Sequence, residues 1–302
     1  MKKKKNTKIR DSFGDRIYNA VCISIVLFLV FLVAYPLWFV LVASFSDPTY
    51  VNTGTLLLYP RGFQIEGYKM VFENARLWIT YGNTILYTVL GTVLGTSIVL
   101  LAGYAFSRKD LVGGSFIMKL FVFTMYFGGG LIPTYLVIDN LGLVNTRALM
   151  IILGSVSVYN IIVVRSFMVS NISDELFDAA KIDGCGNGRF FFQIVVPLSK
   201  AVIAIMVLYI AVSHWNSYFN AMMYLSDTKL QPLQVYLREL LVLGSSMAAN
   251  EEIDPEVQDH MQKMASIIKY AFIVVSTAPI LCVYPFIQKY FVKGVMIGSI
   301  KG

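Results

Sequence analysis

The chain has 302 residues, of which 57% are hydrophobic and only 14% charged, and its mean hydropathy is +0.66. That leaves too little polar surface to coat a water-soluble globule and marks an integral membrane protein. The net charge of +7 comes from clustered lysines and arginines, read here as a determinant of membrane topology and not as a nucleic-acid surface.

Residues 1–20 form a basic N-terminus carrying Lys2, Lys3, Lys4, Lys5, Lys8, Arg10 and Arg16. Six intervals nearly or wholly free of charge follow, at residues 17–46, 77–107, 120–138, 148–164, 201–226 and 270–288. A helix needs roughly 20 apolar residues to cross a ~30 Å hydrocarbon layer, so each interval suits one span. The expected fold is all-α, with six transmembrane helices in one membrane domain over residues 21–294 and a tail at 295–302. Open strands are excluded because their unpaired backbone groups would face lipid. The first apolar stretch is too long for a secretory signal and lacks a small-residue cleavage site, so it is read as a retained helix. With both termini in the cytoplasm, 17 of the 25 basic residues fall inside, as the positive-inside rule requires.

The stretch 47–76 contains Pro48, Gly54, Pro60, Gly62 and Gly67 and is expected to pack as an external cap. In the second span Gly91 and Gly95 make a GxxxG pair that admits a close neighbour. The third contains Gly128, Gly129 and Gly130 followed by Pro133, which should unwind or kink it. Interrupted helices in transporters often border a substrate path, or the break only fits this span to its neighbours; Tyr126, just before the triplet, is a substrate-path candidate.

Between the fourth and fifth spans the chain reads NISDELFDAAKIDGCGNGRFFFQIVVPL over residues 171–198. Ser173 is a plausible N-cap, and Asp174 and Glu175 complement the positive end of a helix dipole. Leu176, Ala179, Ala180 and Asp183 are read as one face, and Gly184, Gly186 and Gly188 as the stop. A short helix on the cytoplasmic side results. Its small face, on Ala179 and Ala180, could seat in a groove of another protein, or the helix could merely bridge its two spans.

In the fifth span Trp215, Asn216, Tyr218 and Asn220 combine aromatic faces with amides, a common make-up of sugar sites. Interhelical hydrogen bonding is the other reading of the same residues. The stretch 227–269 places Glu251, Glu252, Asp254, Glu256 and Asp259 around Pro255, as a solvated helix or as contact with an external partner. His214 is read as a packing residue. The two histidines, His214 and His260, make no HExxH site, and there is no nucleophile elbow. Nor is there a GxxxxGK[ST] loop to cradle nucleotide phosphates. Three cysteines, Cys22, Cys185 and Cys282, imply neither a disulfide framework nor a CxxC metal spacing. No catalytic residue and no metal site is expected.

The segment DAAKIDGCGNGRFFFQIVVPL resembles the EAA loop of ABC importer permeases. Asp178, Ala179, Ala180, Asp183, Gly184, Phe191, Ile194 and Pro197 occupy its positions, with Asp178 where Glu is usual and Cys185 where Ala is usual. FGGGLIPTYLVIDNLGLVNT, HWNSYFNAMMYLSD, PLQVYLREL and the tail QKYFVKGVMIGSIKG extend the resemblance to the carbohydrate-uptake, maltose-permease-like class and its LplC and YtcP subgroup.

The resemblance implies the type I importer permease fold and a coupling helix, Asp178 to Gly184, that docks on a separate ATPase. A second ATPase contact is implied at Gly298, Lys301 and Gly302. The implied partners are a second homologous permease, two copies of the ATPase and an extracytoplasmic sugar-binding protein. Membrane lipid surrounds the chain, and nucleic acid is not a partner. ATP and Mg belong to the ATPase, with no cofactor on this chain. The implied substrate is a sugar or oligosaccharide and the implied place a bacterial cytoplasmic membrane. An importer for a non-sugar solute stays open, as does an ion-coupled secondary transporter. The latter should place ionisable groups within its spans, where only His214 stands deep.

Overall fold

Every described residue of the computed structural model, 12–53, 58–248 and 255–299, lies in a helix, a turn or a connection, with no strand among them. The lysine block 2–5, Lys8 and Arg10, the acidic residues 251–254, and Lys301 and Gly302 lie outside the described residues. Two compact units make up the chain.

The first unit combines Met1–Met70 with Ser246–Val274. Helix α1 (Phe13–Ala43) is apolar on every side, as a lipid-facing span must be. Its end packs into a small core of Val42, Ala43 and Val51, flanked by Phe39, which meets Tyr270 edge-on at 6.0 Å. Asp47 caps α2 (Pro48–Asn52) by accepting from the Thr49 amide at 2.8 Å. The segment before α3 (Glu66–Glu73) folds back on residues 45–47. Phe45 stacks on Phe63 and Tyr68, the Ser44 and Tyr68 hydroxyls pair at 2.7 Å, and Gln64 donates to the Ser46 carbonyl.

The second unit combines Val71–Ser245 with Val275–Gly302 and is organised around α4 (Ala75–Ser107). After α4 come α5 (Gly114–Tyr126) and α6 (Leu131–Asn140), bent by 115° across residues 127–130. The glycine triplet causes the break: Gly130 sits at φ +87°, a backbone state that strains any residue with a Cβ. Next are α7 (Arg147–Ile152), α8 (Val158–Asn171), α9 (Asp174–Ile182) and α10 (Asn187–Phe190). A π-turn (Phe191–Val195) and α11 (Val196–Leu198) lead to α12 (Lys200–Trp215), with an 83° bend at Ser199. Then come α13 (Phe219–Tyr224), α14 (Leu233–Ala248) and α15 (Pro255–Ser299), whose residues from Val275 on belong to this unit and take in Gly298.

α4 packs along α7, α8 and α12. Val99, Ile161, Val164, Met168, Phe190, Val195, Val202 and Met206 form the core of that contact. In its first half, polar side chains grip the segment leading into α14. The Asn83 amide donates to the Lys229 and Gln231 carbonyls at 2.7 and 3.1 Å, and Thr84 Oγ1 accepts from the Leu233 amide at 2.8 Å. Arg76 pairs with Glu239 at 2.7 Å over the Tyr236 ring.

Among the described residues three helices are long and apolar enough to cross a membrane, α1, α4 and residues Met261–Val283 of α15, and the two bent pairs raise the number to five if each is one span. The fourth charge-free interval departs from the expected continuous helix. Residues 153–157 interrupt it between α7 and α8, with Gly154 at φ +87°. Freed backbone groups at such breaks must find partners within protein or in a wet cavity.

Candidate functional site

Helix α9 is the most fully specified element of the 171–198 loop. The Ser173 hydroxyl accepts from the Leu176 amide at 3.4 Å, and Asp174 and Glu175 occupy the first turn beside the positive helix end. At the other end Gly184 takes φ +74°. The Gly184 and Cys185 amides donate to the Lys181 and Ala180 carbonyls at 3.0 and 2.9 Å. This is a Schellman cap, which only a residue free of Cβ strain closes cheaply.

The burial pattern assigns the faces. Phe177 and Ala180, three residues apart, are buried against the bundle core. Glu175, Leu176, Asp178, Ala179, Lys181, Ile182 and Asp183 are exposed. Ala179 and Ala180 therefore do not share one face, contrary to the sequence reading. Successive residues on a helix are ~100° apart, and the Phe177 side chain draws Ala180 inward with it. Ile182, 86% exposed, replaces Ala180 on the outward surface. Sequence reasoning passed over Ile182 because it weighed small residues rather than an apolar side chain left uncovered.

Two cations that the sequence reading used only for topology lie against α9. The Arg108 guanidinium carbon is 3.4 Å from the centroid of the Phe177 ring, and Lys109 Nζ is 2.6 Å from Asp174 Oδ2. The hydrogen bond from Lys109 holds the Asp174 carboxyl below its ordinary value, and the same bond pushes the Lys109 ammonium above its own. Beyond Phe177 an aromatic chain continues. Phe190 meets Phe177 edge-on at 5.1 Å, and Tyr104 of α4 lies 6.4 Å from Phe190 and 5.1 Å from Phe191.

The substrate-path candidates of the fifth span gather at another break. α12 ends at Trp215 and α13 begins at Phe219, leaving residues 216–218 outside any helix. Trp215 is buried, edge-on to Tyr81, with its indole N–H donating to the Ser276 carbonyl at 3.1 Å. Its contacts are those of helix packing. Asn216 is exposed and donates to the Val212 carbonyl, Tyr218 is exposed beside Phe219, and Asn220 is half-buried. Tyr126 stands exposed at the other break, at the end of α5.

The end of α12 and the break at 153–157 lie against the GxxxG pair of α4. The His214 ring lies where a Cβ on Gly91 would stand, and the Ser155 backbone where one on Gly95 would stand. His214 Nδ1 is 3.0 Å from the Ile210 carbonyl, and Nε2 is 3.4 Å from Ser155 Oγ. His214 is buried packing, as expected, and one of its partners, Ser155, belongs to the unforeseen break at 153–157.

No family model matches the chain. Two proteins of Bacillus subtilis (strain 168) are each 36% identical to it. The polygalacturonan/rhamnogalacturonan transport system permease protein YtcP aligns over 95% of this chain and 99% of its own length. Protein LplC aligns over 88% and 89%. The crystal structure of a bacterial ABC transporter involved in the import of the acidic polysaccharide alginate contains a chain that superposes with a TM-score of 0.83 at 30% identity. The superposition covers 94% of this chain and 100% of that one.

Proposed function

This chain belongs to the permease subunits of sugar-transporting ABC importers, and from that premise we propose that it forms one half of a translocation path driven by a separate ATPase through α9. It is a transport subunit and not an enzyme. The observation that carries the coupling role is the two-sided character of α9. Phe177 and Ala180 fix it to the bundle, while Leu176, Ala179, Ile182 and Asp183 face away from it.

In this reading the ATPase binds that outward face and holds ATP and Mg. Closure of its two copies displaces α9, and the permease pair rocks to expose the path alternately on either side. Asp178, Ala179, Asp183 and Gly184 belong to the docking element, with Ala180 as its anchor, and Gly298, Lys301 and Gly302 form the second contact. A second, homologous permease completes the path, and an extracytoplasmic binding protein delivers the sugar. Six spans with both termini in the cytoplasm put α9 on the side of the ATPase. The interrupted fourth span counts as one of the six, because protein packing around Ser155 shelters its break.

The substrate is a sugar or oligosaccharide, received at the breaks 127–130 and 216–218, where Tyr126, Asn216, Tyr218 and Asn220 offer ring faces and amides. YtcP is named for polygalacturonan and rhamnogalacturonan and the alginate transporter for an acidic polysaccharide, so oligomers bearing uronic acids are the first substrates to test. With both permeases, the ATPase and the binding protein in vesicles, labelled oligogalacturonide should accumulate only with ATP. Uptake independent of ATP but dependent on an ion gradient would contradict the proposal.

A further inference from the structure

We propose that Arg108 and Lys109 are positioning residues that latch α9 to the end of α4, so that a displacement of α9 passes directly into the central helix of the bundle. The inference rests on α9 being the ATPase contact.

The chain connections of α9 do not by themselves hold it firmly. On one side it hangs from α8 by Ile172 and Ser173. On the other it continues into Gly184, Gly186 and Gly188, where an added Cβ would meet nothing within 4 Å, so this link is braced only where Cys185 packs against the core. A nine-residue helix moved from its outward face and tethered only in this way would pivot about its ends.

Beside the burial of Phe177 and Ala180, the α4–α5 turn holds α9 laterally at two points. Lys109 grips Asp174, the first residue of α9, and Arg108 covers Phe177, one turn later on the same side. The Arg108 side chain is only 15% exposed, and cation–π contacts strengthen as they lose water. The Lys109–Asp174 pair is open to solvent, where an ion pair adds little to stability. Its use is geometric: it fixes where the end of α9 sits relative to α4. From there Phe190 and Tyr104 carry the contact along the α4 flank. α4 in turn holds the His214 ring against Gly91 and the Ser155 backbone against Gly95, at the breaks of the fifth and fourth spans. The latch therefore links the motor contact to the region proposed to open and close.

The test is sugar taken up per ATP hydrolysed by the complete reconstituted transporter, with co-purification of the ATPase as the measure of docking. Lys109→Glu and Asp174→Lys should each lower that ratio about tenfold while the ATPase stays bound, and the exchanged pair Lys109→Glu/Asp174→Lys should recover most of it, since contacting residues give non-additive effects. Arg108→Leu, which keeps the apolar contact on Phe177 and removes the charge, should lower the ratio as well. Single reversals that couple like wild type, or an exchanged pair no better than either single change, would overturn the latch while leaving docking intact. A wild-type complex in which α9 touches no ATPase would overturn both.

Discussion

Gly184 ends α9 at φ +74° with two amides turned back to close the helix. A side chain in this left-handed region costs about 1–2 kcal/mol, least for Asn, whose short polar group tolerates it. Gly184→Asp should therefore lower both thermal stability and ATP-driven uptake, and Gly184→Asn should lie between it and wild type. Equal melting temperatures and equal uptake for all three would remove the cap from the account. The charges at the other end of α9 behave differently with pH. The carboxyl of Asp174 is held below its ordinary 3.8, so its contribution is complete above that value and lost only as pH falls through the depressed one. The ammonium of Lys109 is held above 10.5, so its contribution is complete below that and lost only as pH rises through the raised value. The difference in coupling between wild type and Asp174→Asn should then stay constant from about pH 5 to about pH 9. A change within that window, measured as sugar per ATP, would assign the effect to another group.

At the scale of the element, the two alanines of α9 allow the proposed docking to be tested apart from folding. Ala180→Glu would bury a charge in the cluster of Phe177 and Phe190, a change that costs several kcal/mol unless the charge is paired. It should lower the melting temperature of the chain. Ala179→Glu, on the exposed face, should leave the melting temperature alone and weaken co-purification of the ATPase. The reverse pattern would mean that α9 is turned the other way. Much of α9 was legible in the sequence, because capping is local chemistry: Ser173, the acidic first turn and Gly184 act within four residues of themselves. Its facing was less so, because orientation is decided by what Phe177 meets, and Phe190, Tyr104 and Arg108 are distant in sequence or outside the motif. The break at 153–157 carried a local signal in Gly154 and two serines, but a charge-free run was read as a span. The reason that break is tolerated, the Ser155 backbone against Gly95, is tertiary.

For the whole molecule, composition alone was enough to place the chain in a membrane, since a surface with so little charge cannot be solvated. Gly128 to Gly130 announced the bend between α5 and α6, whereas the contacts of Trp215 with Tyr81 and Ser276 are tertiary and had no local signal. The bundle holds α9 on one side, and the proposed motor contact is on the other. The most direct measurement is site-directed cross-linking from Ile182→Cys to the ATPase subunit in the assembled transporter. A cross-link that forms and changes in yield as ATP is bound and hydrolysed is the expected result. Cross-links that form only with lipid, with the second permease or with an extracytoplasmic protein would contradict the claim that α9 receives the force of ATP hydrolysis.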